Sequence, residues 1–216
     1  MDILEIMKNR HSVRQYKDIK IESEKRDILN ELVNKCNSEG DMNIQITYDE
    51  PKCFGSIMAH YGKFSGCNNY IAVVGKKSDN LDEKAGYYGE KLVLKAQELG
   101  LNTCWVAVTH GKSAAKVEKG EKLAIIISLG YGENQGVAHK NKPLSDVCNQ
   151  TDESPEWFKK GMEAVMLAPT AVNQQKYKFI LNGEKVEAVS TGGFYSKIDL
   201  GIVKYHFEAV SGHKVD

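Results

Sequence analysis

The sequence lacks an excess of charge of either sign. Its 216 residues carry 29 lysines and arginines against 29 aspartates and glutamates, so the formal net charge is zero. Proteins that bind nucleic acid or lie on a membrane surface usually carry a basic surplus. The balance of charge therefore argues against both partners and leaves small molecules as the expected ligands.

Long apolar runs and paired cysteines are also missing. The longest apolar run is Leu123 to Ile127, far short of the about 20 residues of a membrane helix. The five cysteines are odd in number and form no Cys-x-x-Cys pair, which predicts reduced thiols rather than disulfides. The first residues lack the basic start and apolar stretch of a signal peptide. We therefore expect a cytoplasmic protein.

Apolar residues recur with both helical and strand periods. Residues 84–99 have helical spacing and end at Gly100, whereas residues 70–75, 102–108 and 122–129 are typical of short strands. Asn182-Gly183 between two strand-like segments indicates a hairpin. These patterns predict an α+β fold with a mixed, mostly antiparallel sheet flanked by helices.

Two further segments have clear local signals. Residues 51–69 hold several glycines and serines and are predicted to form a long loop. Ser154 is the predicted cap of a helix with Pro155 at its first position, and Pro169 ends that helix after Ala168.

Two basic segments are candidates for binding a phosphate. Arg10-His11-Ser12-Val13-Arg14 places two guanidinium groups and a hydroxyl within five residues, and arginine forks match phosphate geometry. His139-Lys140-Asn141-Lys142-Pro143 adds two lysines that could reach the same phosphate. Each segment taken alone is also typical of a solvated turn or surface loop.

Two other segments are candidates for contacting a ligand ring. Ala168-Pro169-Thr170-Ala171-Val172-Asn173-Gln174-Gln175 offers side-chain amides, which donate and accept as a flavin edge requires. Gly100-Leu101-Asn102-Thr103-Cys104-Trp105 has small residues that let backbone N–H groups approach a ligand. The alternatives are a polar loop for the first segment and plain core for Trp105 of the second.

Other site types find no support in the sequence. Gly130-x-Gly132-x-x-x-Gly136 follows a strand, but its third glycine comes one residue late and no helical pattern follows, so a dinucleotide site is rejected. His206 and Glu208 are two apart and would face different sides of a helix, which argues against a metal site. No Gly-x-Ser-x-Gly nucleophile elbow occurs.

Taken together, these segments resemble the nitroreductase family, and a divergent branch of it similar to the Thermotoga-type proteins. The resemblance rests on Arg-x-Ser-x-Arg, Glu-Leu-Gly-Leu-Asn-Thr-Cys-Trp, Gly-Tyr-Gly, Lys-x-Lys-Pro-Leu and Ala-Pro-Thr-Ala-Val-Asn-Gln-Gln. It implies an FMN cofactor and ping-pong electron transfer from NADH or NADPH to nitroaromatic, quinone or related acceptors. The alternative is an FMN-binding carrier or sensor with little turnover. The resemblance implies phosphate binding by Arg10, Ser12, Arg14 and Lys142, and flavin and ribityl contacts by Asn173 and Gln175. With the segments described above, the expected cofactor-binding residues are Arg10, His11, Ser12, Arg14, Gly100, Leu101, Asn102, Thr103, Lys140, Lys142, Pro169, Thr170, Asn173 and Gln175.

The position of the Asn-x-Gln motif departs from the usual family order. In the family it follows the second helix, but here the full motif comes about 130 residues later, and Met42-Asn43-Ile44-Gln45 stands in its place. The segment 155–181 also echoes 24–48, which indicates a degenerate half-repeat. We therefore expect residues 1–150 to form the FMN-binding half and residues 151–216 to complete the site. The chain is expected to be a monomer or homodimer, and delivery of Asn173 in cis is favoured.

Overall fold

The computed structural model describes residues 2–216 as α-helices and antiparallel strands. The helices are α1 (Ile3–Asn9), α2 (Ser23–Gly40), α3 (Ile57–Tyr61), α4 (Leu81–Glu98), α5 (Leu144–Val147), α6 (Glu156–Val165) and α7 (Ser196–Ser211). The strands are β1 (Gln45–Thr47), β2 (Asn69–Lys76), β3 (Asn102–Val106), β4 (Glu121–Gly130), β5 (Tyr177–Asn182) and β6 (Lys185–Ser190). A 3-10 turn covers Ala171–Asn173. The fold is α+β, as the sequence predicts.

The chain divides into two compact units that do not follow chain order. One, here called the sheet unit, comprises Arg10–Leu81 and Lys91–Val137. The other, here called the helical unit, comprises the segment up to Asn9, Asp82–Glu90 and Ala138–Asp216. The predicted division at residue 150 concerns the binding site and stays a prediction.

The sheet unit is built on strands in the order β1-β2-β4-β3, and all of these pairs are antiparallel. Every residue of β2 except Lys76 is buried, because both faces of this central strand are covered. Parallel pairing occurs at isolated β-bridges outside the strands, such as the bridge between Ser12 and Thr103. The expectation of a mixed, mostly antiparallel sheet is therefore confirmed.

The core of the helical unit is aromatic. Phe207 of α7 stacks on Phe179 of β5, with ring centroids 5.2 Å apart, and meets Phe158 of α6 edge-on at 5.6 Å. Gly161 of α6 faces the same ring, and a Cβ there would come within 2.5 Å of Phe207. The glycine is needed because close packing leaves no room for a methyl group.

Two glycines let helix segments cross closely within the helical unit. A Cβ added at Gly86 of α4 would stand 2.0 Å from the Ile198 carbonyl oxygen, and one added at Gly201 of α7 would stand 1.9 Å from that of Glu83. In each case a glycine meets the carbonyl three residues before the other glycine. The two helix segments therefore cross with their backbones in direct contact at both glycines, and the half-repeat inferred from the sequence stays a prediction.

Several predicted boundaries are corrected by the structure. The loop expected over residues 51–69 contains α3, whose first turn is capped by Ser56 Oγ, which accepts a hydrogen bond from Ala59 N at 3.2 Å. Pro155 is extended, with ψ of 146°, so α6 starts one residue later and ends at Val165. Ser154 Oγ therefore binds Thr151 N instead of the helix.

The hairpin exists, but its turn is shifted by one residue. Asn182 pairs with Lys185, so the central turn residues are Gly183 and Glu184. Gly183 has a φ of +63°, as the first central position of a primed turn requires.

Among residues 2–216, no helix is long and apolar enough to cross a bilayer. All five cysteines are free and buried, as the sequence predicts.

Candidate functional site

The Arg10–Arg14 segment runs beside β3 in the sheet unit. Val13 N donates to the Thr103 carbonyl oxygen at 3.0 Å, and Ser12 bridges Thr103 in parallel. The extended backbone sends alternate side chains to opposite sides, so Val13 enters the core while Ser12 and Arg14 lie on the other side. Arg14 is exposed, whereas only 3% of Arg10 is exposed.

The glycine-rich turn after β4 packs against this same segment. A Cβ at Gly132 would come within 2.9 Å of Val13 Cγ1, and one at Gly136 within 2.8 Å of the Ser12 carbonyl oxygen. The turn therefore needs glycine because residues 11–13 lie against it. No helix follows within residues 131–143, which agrees with rejection of a dinucleotide site.

Two arginines and a hydroxyl lie near the Cys104 thiol of β3. Burial raises the pKa of the Cys104 thiol on β3, and Arg14, the Ser12 hydroxyl and Arg10 act in the opposite direction. Groups that would stabilise a thiolate stabilise any anion at that place. Burial is the larger of these effects, so the thiol pKa is raised overall, and phosphate binding at this end of β3 stays a prediction.

The segment from Gly100 to Thr103 joins α4 to β3 through a Schellman motif. Leu101 N donates to the Ala96 carbonyl oxygen at 2.8 Å and Gly100 N to that of Gln97 at 3.0 Å, the two bonds that define the motif. Gly100 has a φ of +77°, so glycine is required here by backbone conformation.

The other residues of that segment are buried, and their side chains are engaged within the protein. Leu101 and Thr103 lie in the interior. Asn102 Oδ1 accepts from Gly132 N at 2.9 Å, and its Nδ2 donates to Gln135 Oε1 at 3.0 Å. Asn102 therefore fixes the glycine turn, and the predicted contacts of this segment with a ligand stay a prediction.

Within the helical unit, the second basic segment and the Asn-x-Gln motif come together. Gln175 is 4% exposed, and its Oε1 accepts from Lys142 N at 2.9 Å. Its Nε2 donates to the Lys140 carbonyl oxygen at 2.9 Å and to Asn173 Oδ1 at 3.0 Å. The Gln175 amide is thus a clamp between the two segments, while the side chains of Lys140, Lys142 and Asn173 are exposed.

The loop that carries this motif has unusual backbone geometry. Val172, Asn173 and Gln175 have φ of +47°, +54° and +45°, a region that non-glycine residues seldom adopt. Gln175 N donates to Thr170 Oγ1 at 3.1 Å. Pro169 and Thr170, both half-buried, therefore set the start of a tight, strained turn.

Two residues that the sequence analysis did not select, Asp199 and Gln174, hold this loop against α7. Asp199 is 3% exposed and accepts from Ala171 N and Gln174 Nε2, at 2.9 Å and 2.7 Å. Burial raises its pKa from 3.8 to about 6, although both hydrogen bonds oppose the shift. An acidic residue inside the apolar helical run Ile198 to Val203 is the signal that could have identified it.

The predicted site residues thus form two groups, each within one unit. The sheet unit holds Arg10, His11, Ser12, Arg14, Gly100, Leu101, Asn102 and Thr103, and the helical unit holds Lys140, Lys142, Pro169, Thr170, Asn173 and Gln175. Among residues 2–216, no cluster of His, Cys, Asp and Glu could hold a metal ion.

Solved structures of similar fold include several nitroreductases. A putative nitroreductase from Thermotoga maritima is 24% identical with a TM-score of 0.72, and the match covers 97% of this chain and 83% of that one. A putative nitroreductase in complex with FMN from Desulfovibrio desulfuricans is 18% identical with a TM-score of 0.55, covering 72% and 98%. A putative NADH dehydrogenase/NAD(P)H nitroreductase from Bacteroides thetaiotaomicron is 17% identical with a TM-score of 0.54, covering 70% and 98%. These likenesses establish the fold.

Comparison with curated proteins gave no match. The family described as Putative TM nitroreductase matches residues 2–211, which is nearly the whole chain. The chain therefore belongs to this nitroreductase family.

Proposed function

We propose that this protein binds FMN and catalyses two-electron reduction of nitroaromatic, quinone or related acceptors with NADH or NADPH as donor. The observation that carries the proposal is the Arg10–Arg14 segment, which brings two guanidinium groups and a hydroxyl together and is held along β3 by the hydrogen bond from Val13 N to the Thr103 carbonyl oxygen. Membership of a nitroreductase family supports it, as does the FMN complex of a protein with similar fold.

The side chains present match the chemical needs of FMN. Its phosphate requires cationic and hydroxyl donors, which Arg10, Ser12 and Arg14 supply. Its ring edge requires donors and acceptors together. The exposed Asn173 amide donates to the Lys140 carbonyl oxygen at 2.9 Å and accepts from Gln175 Nε2 at 3.0 Å, which leaves one N–H and one lone pair for the ring. A Cβ added at Gly100 would meet no heavy atom of the described residues within 4 Å, so no neighbouring atom blocks the approach of a ligand to this point of the backbone.

When bound, FMN would supply the two-electron chemistry, and the protein would supply binding and orientation. The arginines would bind and neutralise the phosphate, and Asn173 would orient the ring edge. No protein acid or base is required for transfer of a hydride, so the lack of a catalytic triad is consistent with the proposal.

The proposal is tested by colour and bleaching. The purified protein should be yellow, should bleach with NADH or NADPH in the absence of oxygen, and should recover its colour with a quinone or nitroaromatic compound. Bleaching without turnover would favour the carrier or sensor. A protein that takes up no FMN would refute the proposal.

We also propose that each chain builds its own site, with Asn173 delivered in cis. Arg14→Ala and Asn173→Ala chains are unfolded, mixed and refolded together. Sites formed in cis should regain no FMN binding, because every chain keeps one defect. Recovery in mixed dimers would show delivery in trans, and formation of mixed dimers is checked with two distinguishable tags.

A further inference from the structure

The loop from Ala171 to Gln175 holds strain that its own sequence does not relieve. Three of its five residues, Val172, Asn173 and Gln175, have positive φ, and none is glycine. Such strain persists only where the surroundings fix the backbone, and it concentrates at ligand sites. Something outside the loop must therefore hold it.

The Gln175 amide fixes the end of the loop, and one carboxylate of α7, Asp199, fixes the part before it. Asp199 Oδ1 accepts from Ala171 N at 2.9 Å, and Oδ2 accepts from Gln174 Nε2 at 2.7 Å. The same Gln174 Nε2 donates to the Phe194 carbonyl oxygen at 2.7 Å. Ala171 and Gln174 bracket the two strained residues Val172 and Asn173, so Asp199 holds the turn at both ends.

These hydrogen bonds require a group at position 199 that only accepts. Asp199 must accept at both oxygens, because a backbone N–H and an amide NH₂ face them. An asparagine at this position would place its own NH₂ against one of these donors. Gln174 cannot turn over to compensate, since its oxygen would then face the Phe194 carbonyl oxygen.

Asp199 is costly to bury. Its carboxylate is 3% exposed, the groups that donate to it are neutral amides, and burial raises its pKa to about 6. Its neighbours Ile198 and Leu200 are buried and apolar, which is the side-chain type that this part of α7 packs best. Strain and a buried charge thus coincide at one loop, which points to a role other than stability.

We propose that Asp199, acting through Gln174, is a positioning residue that holds the Ala171–Gln175 loop in the conformation that presents Asn173 to FMN. This inference rests on the proposed function. Because Asp199 contacts the loop and not the ligand, its effect should appear in flavin affinity together with the mobility of the loop.

The experiment compares two acid-to-amide variants on α7, Asp199→Asn and Glu208→Gln. Glu208 is the control, because it is also an acid of α7 whose carboxylate accepts hydrogen bonds, from Tyr87 Oη at 2.7 Å, Lys214 Nζ at 2.6 Å and Val215 N at 3.1 Å, but it contacts a different segment. FMN affinity is titrated by flavin fluorescence, and amide exchange is followed over residues 168–175. We expect Asp199→Asn to weaken FMN about tenfold with faster exchange in the loop, and Glu208→Gln to change neither.

A pH series separates positioning from general stability. The ratio of the FMN dissociation constant of Asp199→Asn to that of the wild type should fall as the pH falls from about 7.5 to about 5. Protonated Asp199, like asparagine, carries a donor in place of one acceptor, so the wild type at low pH should bind FMN as weakly as the variant. Titration of the FMN phosphate affects both proteins equally and cancels in the ratio. The titratable group that interacts with Asp199 is Tyr177 of β5, whose pKa burial raises, so it stays neutral in this range.

Each outcome decides the matter. If the wild type binds FMN and Asp199→Asn binds it equally well, the positioning role is refuted while the proposed function stands. A ratio that is constant with pH would also refute it. If Asp199→Asn does not fold, Gln174→Ala tests the same link from the loop side and should weaken FMN while Glu208→Gln does not. A wild type without affinity for FMN refutes the proposed function and this inference with it.

Discussion

A buried histidine and glutamate give the most direct test of how the helical unit is held together. His206 of α7 and Glu90 of α4 are both fully buried, and His206 Nε2 lies 2.9 Å from Glu90 Oε1. His206 Nδ1 lies 2.9 Å from the Ala164 carbonyl oxygen. A carbonyl only accepts, so Nδ1 carries a hydrogen. The pair then shares one further proton and is neutral overall, whichever atom holds it.

The perturbation is Glu90→Leu, which leaves His206 Nε2 buried without this partner. Breaking a buried pair from one side destabilises by about 3–5 kcal/mol, and an unsatisfied neutral group by about 1–3 kcal/mol. Because His206 can remain neutral once Glu90 is gone, we expect the free energy of unfolding to fall by about 3 kcal/mol, the value at which these two ranges meet. Glu90→Gln is the control, since its amide can donate to neutral Nε2, and it should lose less than about 1.5 kcal/mol.

The assay is urea unfolding followed by circular dichroism, with the free energy of unfolding obtained by linear extrapolation. The double variant Glu90→Leu/His206→Leu completes a cycle and should be more stable than the sum of the single losses predicts, because both buried polar groups are removed together. A Glu90→Leu variant within about 0.5 kcal/mol of the wild type would refute the reasoning. Additive losses in the double variant would show that the two side chains are not coupled.

Three further predictions concern the site and the packing. Arg14→Ala should weaken FMN binding roughly tenfold to a hundredfold in a fluorescence titration. The control Arg26→Ala breaks an ion pair with Asp49 elsewhere in the sheet unit and should leave FMN binding unchanged. Equal effects of the two substitutions would contradict the phosphate assignment. Gly86→Ala should destabilise by about 1–3 kcal/mol in urea, because its methyl group would meet backbone that cannot move aside, and a variant as stable as the wild type would contradict the close crossing. Asp199 has a folded pKa above its unfolded value of 3.8, so its stabilising contribution is complete below that pH and is lost as the pH rises through about 6. The free energy of unfolding of the wild type relative to Asp199→Asn should therefore fall by up to about 3 kcal/mol between about pH 4 and pH 7, and a constant difference would contradict the assigned pKa.

The periodicity of apolar residues determined the α+β class and most elements. The helix predicted over 84–99 and the strands over 70–75, 102–108 and 122–129 all occur, with ends shifted by a few residues, because amphipathic spacing fixes the type of an element more firmly than its ends. The short helix α3 was not predicted, since its five residues are too few to show a period. The family could also be recognised from the sequence, because its motifs are short local segments.

Tertiary structure alone decided what several of those motif residues do. The Gln175 amide is expected at the flavin, and the structure adds that it binds Lys142 N, the Lys140 carbonyl oxygen and Asn173; its contact with a flavin stays a prediction. The glycines of the turn after β4 serve the approach of residues 11–13 instead of a nucleotide. A motif records which residue types are present, but hydrogen-bond partners distant in the sequence decide which donors and acceptors remain for a ligand.

The two buried acidic residues show most clearly what the sequence determines and what tertiary packing decides. Asp199 and Glu90 appear in the sequence as single charges within helical patterns, where a solvated position is the usual expectation. Only the packed structure places two amides against Asp199 and an imidazole against Glu90. The sequence determined the helices that carry these carboxylates, and the way the helices pack decided that the carboxylates are buried, because burial depends on which segments meet in space and not on the local pattern.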